Sequence, residues 1–275
     1  MTKTIVITGA SDGIGAAAAA QLNRLGHEVV VIGRSREKTR QVASSIGADH
    51  FTADFSDLRT VRELAETLQS RYPRIDVLAN NAGGVFGTRD KTLDGHEKTF
   101  QVNQLAPFLL TSLLMPILVN SNATIIQTAS IAARLYGNID ITDLENDRRY
   151  SANKAYGDSK LENILFTKEL DRRYRSDGIS AVAFHPGVIR SSFAAETTSF
   201  GMKFLYANPL TKRFLSTADE GAEQLVWLAT TSPGLGWHPG AYYEKHQIAT
   251  RVNPQSDDEN LALELWHQSA ALVGV

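Results

Sequence analysis

The sequence predicts an α/β fold in which a doubly wound parallel sheet of about seven strands has helices on both faces. Three observations indicate this fold. Short apolar, β-branched runs alternate with helical stretches, a glycine-rich turn joins the first run to the first helix, and no linker rich in proline, glycine or serine divides the chain. Short apolar runs separated by helices are typical of buried parallel strands connected by right-handed crossovers.

The strands are predicted from runs of apolar and β-branched residues. The first is TIVIT, and EVVVIG follows after a small-residue helix that reaches Leu25. In chain order, the remaining strands are ADHFTAD, which has the weakest pattern, IDVLANNAG, ATIIQTAS and ISAVAFHPG. Ligands of such sheets bind beyond the carboxyl ends of the strands, so these ends locate the expected site.

The segments between the strands have helical patterns. A charged helix follows Arg34, and DLRTVRELAETLQSRY is amphipathic. HEKTFQVNQLAPFLLTSLLMPIL is predicted to be one long helix in which Pro107 could introduce a kink, and ANKAYGDSKLENILFTKELDRRY is predicted to be another.

Residues 1–275 are predicted to form one domain, because no composition shift marks a boundary. Two connections are long for a compact domain, namely residues 134–151 and residues 191–217. Connections of this length usually have a function.

The composition excludes several classes of function. The chain has 275 residues, of which 43% are hydrophobic and 21% charged, as in ordinary soluble proteins. A net charge of −2 without a basic patch argues against nucleic-acid and membrane partners. The absence of cysteine excludes disulfides and thiolate catalysis, and no histidine spacing predicts a metal site. No signal peptide is recognised, and we expect a cytoplasmic protein.

The stretch TGASDGIG, residues 8–15, has the features of a phosphate-binding turn. Gly9, Gly13 and Gly15 permit positive φ angles and close approach of the backbone to a ligand. The helix that begins here would present free N–H groups and its positive dipole end to a pyrophosphate. A glycine-rich turn without a ligand is the alternative, and the flanking strand and helix argue against it. The sheet is therefore predicted to be of the dinucleotide-binding, Rossmann type.

The end of the second strand favours NADP (NADPH) over NAD as the dinucleotide. An acidic residue here would bind the ribose 2′-hydroxyl of NAD, but Gly33 ends the strand and Arg34 follows. A guanidinium can pair with a 2′-phosphate. Two observations leave an alternative open: Arg34 could belong to the basic first turn of a solvated helix, and Asp12 stands in the glycine loop where a base would strengthen the prediction.

Tyr156 and Lys160 lie four residues apart in a predicted helix and therefore share a face. Alone, such a pair is equally typical of a surface helix. Combined with TGASDGIG, NNAG at residues 80–83 and Ser130, it resembles the short-chain dehydrogenase/reductase family. The tracts GNIDITDL, AYGDSKLENILFT and HPGVIRSS resemble the retinol dehydrogenase-like branch of that family, and the matching pieces cover the whole chain.

The resemblance implies a catalytic role for four residues. Tyr156 would be the general acid/base for hydride transfer, and Ser130 would orient the substrate oxygen. Lys160 would bind the nicotinamide ribose and favour the tyrosinate, by roughly 3 kcal/mol if its ammonium lies about 5 Å away at an effective dielectric constant of about 20. Asn103 would support a water chain that returns protons to Lys160. Ala129 departs from the family, which often has a second serine there.

The resemblance also implies a set of cofactor-binding residues. Asp54 would accept from the adenine amino group, and Pro186, Gly187 and Val188 would lie beside the nicotinamide amide. Ser191 retains a hydroxyl where the family often has threonine. The implied set is Gly9, Ser11, Asp12, Gly13, Ile14, Gly15, Arg34, Asp54, Phe55, Asn81, Ala82, Gly83, Tyr156, Lys160, Pro186, Gly187, Val188 and Ser191. His185 is interpreted as structural, with a substrate contact as the alternative.

Residues 190–217 would form a small helical substrate lid, by resemblance. Their aromatic and methionine side chains favour an apolar aldehyde, ketone or alcohol, although ordinary packing of a helical segment is an alternative. A non-catalytic NADP-binding sensor is a second hypothesis, and an epimerase or dehydratase on nucleotide-linked sugars is a third. The intact catalytic set argues against the sensor, and the apolar lid argues against the sugar enzyme. A homo-oligomer could form through the long helices after Gly84 and Ala152.

Overall fold

An eight-stranded sheet runs through the middle of the protein. The computed structural model describes residues 1–187 and 217–275. The strands are arranged in the order β3-β2-β1-β4-β5-β6-β7-β8. Their bounds are Thr4–Ile7 (β1), Glu28–Gly33 (β2), Asp49–Thr52 (β3), Val77–Asn80 (β4), Thr124–Thr128 (β5), Ser180–His185 (β6), Tyr242–Glu244 (β7) and Gln247–Ile248 (β8).

Seven of these strands are parallel, which confirms the predicted sheet, and β8 adds a short antiparallel edge. The turn between β7 and β8 is made by Lys245 and His246, which have φ angles of 51° and 62°. Such positive φ angles match the twist of a two-residue hairpin. The hairpin is too short to have a periodicity, so sequence patterning could not identify it.

The strand order reverses between β1 and β4. The chain proceeds outward from β1 to β2 and β3, and then returns to place β4 on the other side of β1, with Ile7 paired to Ala79. Loops from the two strands diverge at this point and leave a crevice at their carboxyl ends. The glycine-rich turn after β1 and the NNAG turn after β4 therefore meet in this crevice.

Helices cover both faces of the sheet and form two separate cores. One core lies beneath α1, α2 and α8, and the other lies beneath α3, α5, α7 and α9. The helices are α1 (Gly13–Arg24), α2 (Arg36–Ile46), α3 (Leu58–Arg71), α4 (Lys98–Phe100), α5 (Ala106–Asn120), α6 (Ala132–Tyr136), α7 (Ala152–Tyr174), α8 (Ala218–Thr230) and α9 (Glu259–Val273). Side-chain caps mark several starts: Ser35 for α2, Asp57 for α3 and Ser151 for α7.

The predicted long helix before β5 is interrupted, but not at Pro107. Helix α4 passes through a π-helical turn, Gln101–Leu105, into α5. Pro107 stands in the first turn of α5, where a missing N–H costs little. Among the described residues, the stretch Lys98–Asn120 is long and apolar enough to cross a bilayer, yet 72% of its most apolar window is buried in the fold. This burial is typical of a core helix.

Helix α9 covers the outer side of α5 and α7. The Trp266 ring centroid lies 5.0 Å from that of Phe108 on α5 and 5.7 Å from that of Phe166 on α7. These are the two helices through which a homo-oligomer could form, and α9 covers part of their surface. The homo-oligomer stays a prediction.

Candidate active site

The glycine-rich turn packs directly against the NNAG turn. Gly9 has a φ of 65° and Gly13 one of 56°, values that favour glycine. Gly15 is needed for a different reason, because a Cβ there would overlap the Gly9 carbonyl oxygen. The Asn81 amide nitrogen donates to the carbonyl oxygens of Thr8 (3.0 Å) and Gly9 (3.3 Å). The two turns are thus held together with no space for side chains between them.

Two more residues of the turn have structural contacts. Asp12 caps α1, since its Oδ1 accepts from the Gly13 N–H at 2.7 Å. The Ile14 side chain packs against the core beneath α1 and α2. The sequence prediction omitted Thr8, whose Oγ1 accepts from the N–H groups of Asn81 and Ala82, both at 3.0 Å. Its place at the start of TGASDGIG was a signal that could have identified it.

A cavity of about 260 Å³ opens at the crevice between β1 and β4. It extends from the glycine-rich turn past the end of β2 to the turns after β3 and β4. Seven of the eighteen residues predicted to bind the cofactor line it, including Ala82. Others that line it are Gly9, Ser11, Arg34, Asp54, Phe55 and Gly83.

The far end of this cavity carries charged groups. Arg34 is exposed at the end of β2, and Lys38 lies 3.7 Å from Asp12 in an exposed ion pair. Two cations therefore stand beside the loop in which Asp12 is the one acidic residue. Asp54 Oδ1 accepts from the backbone N–H (3.0 Å) and hydroxyl (2.7 Å) of Ser56, which orients the carboxylate at the cavity wall.

Tyr156 and Lys160 lie on the inner face of α7 and are buried, at 8% and 2% relative exposure. The Lys160 Nζ is 5.7 Å from the centroid of the Tyr156 ring. It donates a 2.8 Å hydrogen bond to the carbonyl oxygen of Thr128, the last residue of β5. Burial lowers the pKa of Lys160 to about 7. Thr128 was not predicted, because a backbone carbonyl has no sequence signal.

Asn103 lies in the π-helical turn and joins the NNAG turn to α7. Its Oδ1 accepts from the Gly84 N–H at 2.9 Å, and its Nδ2 donates to the Gly84 carbonyl and to Ser159 Oγ, both at 3.0 Å. A Cβ added to Gly83 would lie 3.0 Å from Asn103 Oδ1 and 3.3 Å from Lys160 Nζ. The Gly83 backbone therefore lies close to the ends of the Asn103 and Lys160 side chains, with little room for a side chain of its own. The role of Asn103 in a water chain stays a prediction.

Ser130 follows β5 at the same edge of the sheet. Its Oγ accepts from the Ala132 N–H at 3.2 Å, which starts α6. A hydroxyl that accepts one hydrogen bond still has its own proton to donate. Tyr156 packs with Val85 and Ala132 in a small apolar cluster, and a Cβ on Gly157 would lie 2.7 Å from the Gly137 nitrogen. Close packing of α6 on α7 therefore holds the tyrosine ring.

The remaining predicted residues follow β6. Pro186 and Gly187 come directly after this strand, and Gly187 has a φ of 93°. Val188, Ser191 and the predicted lid, residues 190–217 apart from Thr217, lie outside the described residues. Within residues 1–187 and 217–275, no group of three or more histidine, aspartate or glutamate side chains could hold a metal ion.

The comparisons agree with this geometry. The family model for short chain dehydrogenases matches residues 3–200. A protein of Streptomyces sp. (strain C5), provisionally assigned as daunorubicin C-13 ketoreductase DnrU, is 43% identical over 99% of this chain and 93% of its own. Retinol dehydrogenase 14 of Mus musculus is 34% identical over 99% of this chain and 86% of its own.

Solved structures show the same architecture. One from Mycobacterium paratuberculosis has a TM-score of 0.79 and 30% identity, covering 99% of this chain and 94% of that one. A protein of Escherichia coli CFT073, provisionally assigned as a short chain dehydrogenase and complexed with NADPH, has a TM-score of 0.63 and 27% identity, covering 82% and 90%. The 3-ketoacyl-(acyl-carrier-protein) reductase of Brucella melitensis, complexed with NADH, shares the fold at a TM-score of 0.69 and 24% identity, covering 88% and 96%.

The sheet, the glycine-rich crevice and the tyrosine–lysine pair define a dinucleotide-binding oxidoreductase. The chain belongs to the short-chain dehydrogenase family, and within it to the retinol dehydrogenase-like branch.

Proposed function

We propose that the protein is an NADP-dependent oxidoreductase that transfers a hydride between the nicotinamide and a small carbonyl or alcohol substrate, with Tyr156 as the general acid/base. One observation carries this proposal. The buried Lys160 Nζ lies 5.7 Å from the centroid of the Tyr156 ring, and a Cβ added to Gly83, which lines the cofactor crevice, would lie 3.3 Å from the same nitrogen. This arrangement suits proton delivery to an oxygen that lies above the crevice.

The chain's own residues would handle the proton. The bound cofactor supplies or accepts the hydride. In reduction, the Tyr156 O–H donates its proton to the substrate oxygen as negative charge develops there. The ammonium of Lys160 stabilises the resulting phenolate, because opposite charges at this distance favour each other's charged forms. The Ser130 hydroxyl donates a hydrogen bond to the same oxygen and keeps it directed at Tyr156.

Two observations support NADP as the cofactor. Arg34 lines the crevice at the end of β2, and Lys38 stands beside the glycine loop. A phosphate on the adenosine ribose could pair with these cations. The relative complexed with NADPH agrees with this preference, and the more distant structure complexed with NADH shows that the fold accepts either cofactor.

A substrate screen tests the function. Purified protein with NADPH is given a panel of aldehydes and ketones, and oxidation of NADPH is followed by absorbance. Tyr156→Phe should lower kcat by about 10²- to 10⁴-fold while NADPH still binds. Tyr150→Phe is the control, because the Tyr150 hydroxyl bonds to the Thr88 carbonyl and to Glu97, away from the crevice. Unchanged turnover by Tyr156→Phe would refute the assigned role.

The same variant addresses the sensor hypothesis. A protein that only signals NADP occupancy would have no turnover to lose, and its binding would be indifferent to Tyr156→Phe. No feature of the described residues specifically favours that hypothesis. We also propose that the part of the substrate which contacts the lid is apolar.

A further inference from the structure

A polar group of four side chains lies at the carboxyl ends of β6 and β7. His185 is paired with Glu244 in the sheet register, and Ala183 is paired with Tyr242. Alternate residues of a strand share a face, so His185, Glu244 and Tyr242 all point to one side of the sheet. Tyr242 belongs to the core beneath α5 and α7, which identifies that side as the face of the catalytic helix.

Arg134 on α6 completes this group. It stands four residues after Ser130, and backbone hydrogen bonds link Ser130 to Ala133 and Ile131 to Arg134 in one turn. The positive charge of Arg134 acts on both His185 and Tyr242. Tyr242 also interacts electrostatically with Tyr156. The Ala129 N–H donates to the Phe184 carbonyl oxygen at 2.8 Å, so Ser130 and His185 stand side by side at the carboxyl ends of β5 and β6.

Two side chains of the group each have a nitrogen atom without a hydrogen-bond partner in the described part of the chain. The Nε of Arg134 and the Nδ1 of His185 are enclosed, and neither has a hydrogen-bond partner among the described residues. Across the same part of the chain, no carboxylate lies within ion-pair distance of the Arg134 guanidinium. The Glu244 carboxylate accepts a hydrogen bond from the Tyr242 hydroxyl at 3.1 Å.

Arg134 brings a positive charge to this group at a place that a ligand could reach, and the Glu244 carboxylate brings a negative one. Burial, followed by the charges of Arg134 and Lys245, lowers the pKa of His185 to about 4, so the imidazole is neutral at physiological pH. The Arg134 side chain is only partly buried, and its two terminal nitrogens are not among the enclosed atoms. A partly desolvated guanidinium without a counter-ion is unfavourable, and a buried polar atom without a partner is one mark of a place where a water, an ion or a ligand binds.

We infer that Arg134 and His185 form a substrate subsite for a carboxylate, so that the enzyme prefers carbonyl compounds which carry a carboxylate at the end remote from the reacting oxygen. A planar guanidinium matches a carboxylate in shape and charge, and the neutral imidazole can donate one further hydrogen bond. This inference rests on the proposed function for the location of the reacting oxygen. It also modifies the expectation of an apolar substrate to that of an amphipathic one.

The test compares two probes of similar shape, one with the carboxylate charge and one in which a methyl ester removes it. The reaction is measured with 4-carboxybenzaldehyde and with its methyl ester, using NADPH and the wild-type, Arg134→Met and Arg134→Lys proteins. We expect the wild type to prefer the acid, and Arg134→Met to lose roughly 10- to 100-fold in kcat/KM on the acid, mainly through KM, with less than threefold change on the ester. Arg134→Lys should retain part of the preference.

Arg148→Met serves as the control, because Arg148 is exposed and paired with Asp140. An equal loss on both probes with Arg134→Met would show a structural role and overturn the inference. A wild type without preference for the acid would also overturn it.

A binding measurement separates failure of the inference from failure of the proposed function. Calorimetry on the NADP-loaded protein compares 4-(hydroxymethyl)benzoate with its methyl ester. If no carbonyl compound is reduced, the proposed function fails, but tighter binding of the benzoate that Arg134→Met weakens at least tenfold still supports the subsite. No detectable binding of the benzoate, or equal binding by the two proteins, overturns it.

Discussion

The Lys160 ammonium nitrogen lies 5.7 Å from the centroid of the Tyr156 ring and donates to the Thr128 carbonyl oxygen at 2.8 Å. Burial of this cation without a carboxylate partner in the described residues destabilises the fold, since burial alone lowers the pKa of Lys160 to about 7. The arrangement is useful for stabilising a phenolate and unfavourable for folding. Replacement of the lysine should therefore affect stability and catalysis in opposite directions.

Lys160→Met should stabilise the cofactor-free protein and abolish turnover. The pKa of the lysine is about 10.5 when unfolded and about 7 when folded, so its destabilising effect is complete below pH 7 and is removed as pH rises from 7 toward 10.5. After allowance for the lost hydrogen bond, we expect roughly 2–4 kcal/mol of gain at pH 6 and little at pH 9.5. Denaturant unfolding at both pH values measures this.

Lys168→Met is the matched control on the same helix, because Lys168 is partly exposed and paired with Asp257. It should change the free energy of unfolding by less than about 1 kcal/mol. A Lys160→Met protein that is less stable than wild type at pH 6 would contradict the assigned cost of burial.

Glu162→Gln should also stabilise the protein, with the opposite dependence on pH. Glu162 is 1% exposed and neither carboxylate oxygen has a hydrogen-bond partner in the described residues. Burial, then the charges of Asp158 and Glu97, raise its pKa well above 4.5, and Lys154 opposes them. The folded state thus keeps a proton that the unfolded state loses, so wild-type stability falls as pH rises above 4.5. Glutamine lacks this penalty.

The gain from Glu162→Gln should grow by about 1.4 kcal/mol per pH unit above pH 4.5, up to the folded pKa, and should be near zero at pH 4.5. Denaturant unfolding at pH 5 and pH 7 measures this gain in the free energy of unfolding.

Glu169→Gln, the control, should show the reverse dependence of stability on pH. Burial opposes ionisation of Glu169, but hydrogen bonds from Arg172 and Arg173 lower its pKa, so its contribution exists above the unfolded pKa and is lost in acid. A gain for Glu162→Gln that does not vary with pH would disprove that the buried acid is protonated.

Arg34→Ala should shift the cofactor preference. Loss of the guanidinium at the end of β2 removes a charge-assisted contact to a 2′-phosphate, which corresponds to about a 10- to 100-fold higher KM for NADPH. The KM for NADH should change less than threefold. Arg40→Ala, further along α2, is the control. Equal effects on both cofactors would mean that Arg34 does not recognise the phosphate.

Gly157→Ala tests the packing that holds Tyr156. Alanine in place of glycine normally favours a helix by about 1 kcal/mol. Here the added Cβ would lie 2.7 Å from the Gly137 nitrogen and from the Tyr136 carbonyl carbon, both backbone atoms that cannot rotate away. We expect a net loss of roughly 2–4 kcal/mol in unfolding free energy and a lower kcat.

Gly47→Ala is the control. It has open space at its Cβ and a φ of 66°, so it should cost about 1 kcal/mol through backbone strain alone. Similar values for the two variants would contradict this account.

The sequence pattern predicted features that depend on residues close together in the chain. The glycine-rich turn was predicted, because a strand, three glycines and a helix start lie within one short stretch. The π-helical turn around Asn103 was not predicted, since the same apolar pattern is compatible with a regular helix. The contacts that accompany this turn, from the asparagine amide to Gly84 and Ser159, are visible only in the structure.

By itself, the sequence determined the fold class and placed Tyr156 and Lys160 on one helical face, because strand periodicity and four-residue helical spacing are local properties. The family followed from the resemblance of its motifs. Only the tertiary structure decided that the Thr128 carbonyl receives the Lys160 hydrogen bond, that Glu162 is enclosed without a hydrogen-bond partner among the described residues and that Ala129 pairs with Phe184 to bring Ser130 beside His185. These relationships depend on strand register and on how α6 and α7 pack, and such contacts join residues that no local pattern connects.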